Sequence, residues 1–309
     1  MNKILVTGGT GMVGKALENI LGNKGVYVGR NLCNFKNLEK TIELLKDTKP
    51  SAVIHLAARV GGVTENKDHM AEFYYDNMMI NLNVLHGSHI AKVPKVVSLL
   101  STCIFPDAVK YPLTEEKIHN GEPHHTNFGY AYAKRMLDVQ SRSYRRQYGS
   151  QFITAVPNNL YGNNDNFHLT QSHVIPAMIR KIYEAKINHQ KTVKLWGDGT
   201  PLREFTHVSD IARILLFLVE SYEEENPINI GNTEETSILT LAETIAMLLE
   251  YEGELVWDTS FPNGQHKKPS SNNKLKLLGW NTEDYVPLKK GLQETCSWFV
   301  ENYPKVRGV

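Results

Sequence analysis

Long apolar runs are missing from this chain. No stretch approaches the ~20 apolar residues that span a bilayer, and the opening run Ile4–Val6 breaks at Gly8 and Gly9, too soon for a signal peptide. Cysteine is scarce. Cys33, Cys103 and Cys296 lie far apart and form neither a disulfide framework nor a Cys-x-x-Cys metal site, so no metal is expected. Charge of one sign is lacking too: 34 basic and 33 acidic residues leave a formal net charge of +1. That balance argues against nucleic acid or an anionic membrane as main partner. Repeats and low-complexity tracts are absent. What is left is the expectation of a cytoplasmic globular protein, and 41% hydrophobic residues among 309 are enough for a large core.

The first half alternates short β-branched runs with helical patterns. Strands are predicted at Ile4–Val6, Val26–Val28, Ala52–Leu56, Lys95–Leu100 and Phe152–Val156. Helices are predicted at Met12–Leu21, Leu38–Leu45, Met70–Ile90 and Phe128–Tyr148. Such alternation predicts an α/β fold, a Rossmann-type doubly wound parallel sheet with helices on both faces. After Pro157 the pattern loosens into an Asn/Gly-rich segment, Tyr161–Leu169. Helices follow at His173–Glu184, Val208–Glu220, Leu239–Leu249 and Leu288–Val300, with a turn at Trp196–Pro201 and a short strand, Ile228–Ile230, placed to rejoin the first sheet. The expected division is a cofactor domain of residues 1–160 plus about 206–232, and a smaller, mixed α/β carboxy-terminal substrate domain of about 161–205 plus 233–309.

Between the first strand and the first helix stands Thr7-Gly8-Gly9-Thr10-Gly11-Met12-Val13-Gly14. Its glycines permit a tight turn, close approach of backbone to a pyrophosphate and close helix–strand packing, while the helix N-terminus supplies free N–H donors. A Gly-rich turn without ligand is the plain alternative, and the strand–turn–helix context favours a dinucleotide. An NAD site would carry an acid at the end of the second strand. This one ends Tyr27-Val28-Gly29-Arg30-Asn31, and a guanidinium suits the 2′-phosphate of NADP(H), unless Arg30 is a solvated surface charge. Ala57 and Ala58, after the third strand, are small enough to let the cofactor lie close, or are simply strand-end packing.

Tyr130 and Lys134 stand at i and i+4 on a predicted helix, hence on one face. A phenol of ordinary pKa ~10 is a poor catalyst. A neighbouring ammonium is expected to pull it toward neutrality and to make Tyr130 an acid–base group. Ser101, at the end of the fourth strand, would hydrogen-bond the reacting oxygen or serve as a turn former.

The fingerprint, Ser101 and the Tyr130/Lys134 pair together resemble the extended short-chain dehydrogenase/reductases. Ser101-Thr102-Cys103-Ile104-Phe105-Pro106, Asn166-Phe167-His168, Ser172-His173-Val174-Ile175-Pro176, Trp196-Gly197-x-Gly199-x-Pro201-x-Arg203 and Gly264-Gln265-x-Lys267-Lys268 narrow this. They resemble the GDP-L-fucose synthase family, from end to end. The resemblance implies a 3,5-epimerase/4-reductase of GDP-4-keto-6-deoxy-D-mannose, with a GDP-sugar substrate and NADPH delivering hydride to C4. Cys103 would be the base of the epimerisation, its thiol depressed by a positive neighbour, and His173 the acid; Tyr130 would donate the proton to the C4 oxygen. Cofactor contacts would fall on Gly8 through Gly14, Arg30, Lys134, Pro157, Asn158, Asn159, Leu160 and His173, and substrate contacts on Lys181, Trp196, Arg203 and Asn263. Asn263 stands where the family has Asp, which bears on nucleotide preference or affinity, and Asn158 stands, as a milder departure, where Thr is usual. Read from the residues alone, Cys103 would more often be a buried thiol and His173 a cap.

A nucleotide-sugar 4,6-dehydratase would place an acidic pair after Thr102, and a simple 4-epimerase would lack Cys103 and His173. An enzyme for another GDP-keto sugar, a heptose for example, would show the same chemical residues. A non-catalytic NADP sensor on this fold would be expected to lose the Tyr/Lys pair. The family also implies a homodimer, with the helices of 70–90 and 128–148 pairing across a two-fold axis as a four-helix bundle, although their apolar faces equally suit packing on the Rossmann sheet.

Overall fold

The computed structural model describes residues 3–261, 263 and 265–309; Met1, Asn2, Pro262 and Gly264, the glycine of the last motif, lie outside the described residues. In chain order the elements begin β1 (Ile4–Thr7), α1 (Met12–Leu21), β2 (Gly25–Val28), α2 (Leu38–Thr48), β3 (Ala52–His55), α3 (Val63–Asp68), α4 (Met70–Ile90), β4 (Lys95–Leu99), α5 (Phe128–Tyr148) and β5 (Gln151–Pro157). They continue β6 (Asn159–Tyr161), α6 (Val174–Ile187), β7 (Thr192–Trp196), β8 (Leu202–His207), α7 (Val208–Ser221), β9 (Ile228–Ile230), β10 (Glu235–Ser237), α8 (Ile238–Leu248), β11 (Glu254–Asp258), α9 (Asn273–Leu277) and α10 (Leu288–Asn302).

Six strands form one parallel sheet in the order β2-β1-β3-β4-β5-β9. The order reverses between β1 and β3, and a parallel sheet opens a ligand crevice at such a switch point, beyond the carboxyl ends of its strands. Strand residues are apolar on both faces because both are covered. Leu5, Val53, Val96 and Phe152 pack in the core that includes Leu45 of α2, Leu85 of α4 and Leu137 of α5. Their successors Val6, Ile54, Val97 and Ile153 join the opposite core, with Leu17 of α1 and Ile211 and Leu215 of α7. This period-two split is the strand geometry itself. Local signals set the helix limits: Asn37 caps α2 by accepting from the Lys40 N–H at 2.9 Å, and Gly149, at φ +70°, ends α5.

The carboxy-terminal half builds a third core from α6, α8 and α10 over β7 and β8. Two small sheets accompany it, β6-β8-β10 and a parallel β7-β11 pair. The expected strand at 228–230 does rejoin the large sheet, beside β5. The helix expected from His173 starts at Val174 instead, leaving His173 at the N-cap in an extended conformation. No helix among the described residues is long and apolar enough to cross a membrane.

Candidate active site

The glycine turn is built by contacts that leave no room for side chains. Gly8 has φ +69°, and a Cβ there would sit 2.9 Å from the Ala57 amide nitrogen. A Cβ on Gly14 would fall 2.6 Å from the backbone of Gly9, and one on Gly9 2.7 Å from Tyr27 Cα, so α1 lies hard against the turn and the turn against β2. Gly11 is the N-cap of α1 without a capping side chain, and the first turn holds no acid. Its N–H groups and positive end are therefore free for an anion.

Gly8, Thr10, Gly11, Met12, Val13 and Gly14 line one wall of a cleft of about 870 Å³. Gly9 is not on that wall; it was expected among the cofactor contacts, and its part is the packing just described. Arg30 borders the cleft, exposed at the end of β2. Leu56, Ala57 and Ala58 form the floor, and Pro157, Asn158, Asn159 and Leu160 the far side. Thr7 Oγ1 accepts from the amides of Leu56 and Ala57, both at 3.1 Å. Its own hydrogen is then directed to His55 Nδ1 at 2.8 Å, so His55 Nε2 donates to Asn81 Oδ1 at 3.1 Å. Burial holds His55 neutral, its pKa lowered to about 3. Asn81 in turn donates to the Ala133 carbonyl at 3.2 Å, so the floor of the cleft is tied to α5 next to Lys134.

Ser101, Tyr130 and His173 line the same cleft. Ser101 caps the short turn Thr102–Ile104, its Oγ accepting from the Cys103 N–H at 3.4 Å, and its hydroxyl is also within reach of the Cys103 sulfur. Tyr130 and Lys134 share a face of α5, with the ammonium 5.9 Å from the phenol ring centroid. Lys134 is 3% exposed and donates to the Leu99 carbonyl at 2.8 Å; burial lowers its pKa to about 8. His173 makes no capping hydrogen bond with its side chain, which faces the cleft instead.

Two electrostatic expectations need correction. The Tyr130 phenol is pushed up, by burial first and second by the negative charge Cys103 carries when ionised, and these outweigh the nearby Lys134. The Cys103 thiol is also pushed up by burial, which outweighs the hydrogen bond with Ser101 and the positive charges of Lys268 and Lys134. Both groups therefore hold their protons in the free protein, because desolvation penalises the anion more than those neighbours favour it. For the phenol this is the state a proton donor needs. Cys103 itself lies behind Ser101 and Thr102 and is not among the described residues that line the cleft.

Farther out, Lys181 and Trp196 meet, the ammonium 4.7 Å from the indole centroid, and Trp196 stacks on Phe261 at 4.6 Å and 9°. Burial lowers the pKa of Lys181. Arg203 donates to its neighbour's carbonyl, Leu202 O, at 2.7 Å and to His266 O at 3.4 Å. The Asn263 carbonyl oxygen is taken up by the Asp198 N–H at 2.9 Å, so this side chain braces the turn at Gly197–Gly199. The buried Asn158 amide donates to Asn232 O at 2.6 Å and to Glu204 at 3.3 Å, leaving its backbone for the cleft.

The cleft also contains residues that sequence reasoning missed: Lys36, Arg59, Asp165 and Arg307. Lys36 was findable as a second cation after β2. Asp165 lay inside the Asn/Gly-rich segment already marked, whereas Arg307 carried no pattern at all.

The model of the NAD dependent epimerase/dehydratase family matches residues 4–231. A GDP-L-fucose synthase of Dictyostelium discoideum is 43% identical over 98% of this chain and 97% of its own length. A probable GDP-L-fucose synthase of Drosophila melanogaster is 39% identical over 99% and 100%. Among solved structures, a GDP-L-fucose synthetase from Naegleria fowleri bound to NADP superposes with a TM-score of 0.93 at 40% identity, covering 99% of this chain and 95% of that one.

Proposed function

The chain belongs to the NAD dependent epimerase/dehydratase family, and we propose that within it the protein is a GDP-L-fucose synthase, carrying out the NADPH-dependent 3,5-epimerisation and 4-reduction of GDP-4-keto-6-deoxy-D-mannose. The observation that carries this reading is the convergence of Ser101, Tyr130 and His173 on the cleft that the glycine turn opens, with Cys103 two residues beyond Ser101. The cleft fits NADP(H): a Cβ-free turn, an uncapped helix N-terminus for the pyrophosphate and Arg30 for the 2′-phosphate. Bound NADPH supplies the hydride for C4.

Every other step falls to side chains. The 4-keto group acidifies the protons at C3 and C5. Cys103 removes each of them, and His173 returns a proton on the opposite face, inverting the centre. The positive charges of Lys268 and Lys134 are what stabilise the thiolate when it forms. In the reduction Tyr130, kept neutral by burial, gives its proton to the C4 oxygen while Ser101 holds that oxygen by a hydrogen bond. Lys134 fixes the first turns of α5 against Leu99, and its ammonium, 5.9 Å from the ring centroid, faces the phenolate left behind. Lys181 and Arg203 suit the diphosphate, and the Trp196–Phe261 pair gives a flat apolar face for guanine.

The same proposal places residues 1–160 plus about 206–232 around the cofactor and the remainder around the sugar nucleotide. It also makes the protein a cytoplasmic homodimer. Exposed Tyr74, Tyr75 and Leu82 on α4 and Val139 on α5 support a helical contact between two copies. The test is to measure the mass of the purified protein in solution, incubate it with NADPH and GDP-4-keto-6-deoxy-D-mannose, and identify the sugar. GDP-L-fucose from a protein of twice the chain mass is expected. NADPH left unconsumed, or a product with uninverted C3 and C5, rejects the activity.

A further inference from the structure

The loop between β6 and α6 folds back on itself. Asn166 donates to Gln171 O at 3.4 Å, and the Gln171 N–H donates to His168 Nδ1 at 3.1 Å. The chain terminus is laced onto it: the Phe167 N–H donates to Arg307 O at 2.8 Å, and Arg180, itself paired with Glu184, donates to Phe167 O at 3.2 Å and Gly308 O at 2.6 Å. The result is that Asp165, His173 and Arg307 border one cleft. Asp165 is 7% exposed. Its Oδ1 accepts from the Asn166 N–H at 2.7 Å, while its buried Oδ2 has no partner among the described residues. A carboxyl left half-satisfied in a ligand cleft is costly as a purely structural feature.

The proposed reaction has a use for it. Each inversion leaves a proton on Cys103 and takes one from His173, so the second inversion stalls until His173 is recharged. We propose that Asp165 recharges it, acting as a proton relay between the two inversions. Because the two side chains share the cleft without touching, the proton passes through a bridging water: the Asp165 O–H bond breaks as the water takes its proton, and the water gives one of its own to the imidazole nitrogen. The resulting carboxylate recovers a proton from water in the cleft, and Cys103 releases its own to water. No electrons change hands. Arg307, cationic throughout, steadies the carboxylate while it is charged. Burial raises the Asp165 carboxyl to about 6, with His173, the Asn166 N–H and Arg307 drawing it back down, so its acid form is available near neutral pH.

The inference rests on the function proposed above. The experiment follows deuterium uptake at C3 and C5 in heavy water, with NADPH and GDP-4-keto-6-deoxy-D-mannose. The wild type places deuterium at both carbons; if it does not, the function falls and the relay with it. In a competent background, Asp165→Asn keeps the acceptor for Asn166 and removes the acidic proton. It is expected to slow the second exchange about tenfold relative to the first, less than the ~10²–10⁴ of a direct proton donor, because Asp165 acts through His173 and water can recharge it more slowly. A sugar inverted at one centre should then accumulate. The wild-type ratio of second to first exchange falls as pH rises through about 6, and the variant loses that limb. Arg307→Met removes a charge that favours the carboxylate and should move the limb to higher pH, which a mere packing role would not do. Equal exchange ratios in Asp165→Asn and wild type, or an unmoved limb in Arg307→Met, overturn the relay while leaving the function standing.

Discussion

Replacing Tyr130 by Phe removes one oxygen and nothing else of consequence. The phenol oxygen has no protein hydrogen-bond partner among the described residues, so no buried group is orphaned by its loss. The ring keeps its edge-on contact with Phe73, at 6.3 Å and 81°, and Lys134 keeps its bond to Leu99 O. Stability should therefore shift by no more than about 0.5 kcal/mol, the range of substitutions that break no specific feature. Catalysis is another matter. A positioned general acid is worth about 10²–10⁴ in rate, or about 3–5 kcal/mol of barrier. Ser101 still stabilises the developing charge at C4, so the loss should stop at about 10²–10³. The assay pairs NADPH binding, read from nicotinamide fluorescence, with single-turnover NADPH oxidation. Binding should stay within about twofold, as little uniform binding is lost, while the chemical step collapses. Turnover within about threefold of wild type would refute the assignment, because among the described residues that line the cleft Tyr130 is the one phenol.

Arg30→Ala should weaken NADPH about tenfold, the lower end for a charge-assisted bond because Arg30 is exposed, and leave NADH nearly untouched; titrations showing equal losses would remove the 2′-phosphate contact. Cys103→Ser should slow deuterium exchange at C3 and C5 by about 10² or more while NADPH still binds, and exchange at the normal rate would take Cys103 out of the epimerisation.

The fold was legible wherever apolar period and turn chemistry agreed. Helices Met12–Leu21 and Phe128–Tyr148 and the strand Ile228–Ile230 coincide with the prediction, each followed by a glycine, Gly22, Gly149 or Gly231; Met70–Ile90 also matches, although it ends at Ala91 without such a stop. The short strands of the second half escaped. Asn159–Tyr161 and Glu235–Ser237 have three residues each, too few to show a period, and β7 and β11 pair only with each other, at a sequence separation that local patterns do not report. In the site, residue identity and order were readable and proton affinities were not. The sequence places an ammonium near the phenol but says nothing of how deeply both are buried. Burial reversed the expected direction at Tyr130 and at Cys103. Asp165 and Arg307 were missed for a related reason: a loop folded back on itself and a chain end laced to it have no period to detect.

That reversal bears on how one cleft can serve two chemistries. Reduction needs a phenol that still holds its proton when charge develops at C4, and epimerisation needs a thiol that gives its proton up. A single cationic environment strong enough to ionise both would leave the reductase without an acid. Here burial is the first term for both groups, and the cations are apportioned unequally. Lys268 and Lys134 both favour the thiolate, whereas at the phenol burial and Cys103 dominate. The thiol is thus the easier of the two to ionise, while Tyr130 stays protonated, held further from ionisation by any negative charge that forms on Cys103. On this argument a thiolate formed for epimerisation helps to keep the reductive acid charged with its proton, so the two half-reactions assist each other through the field they share.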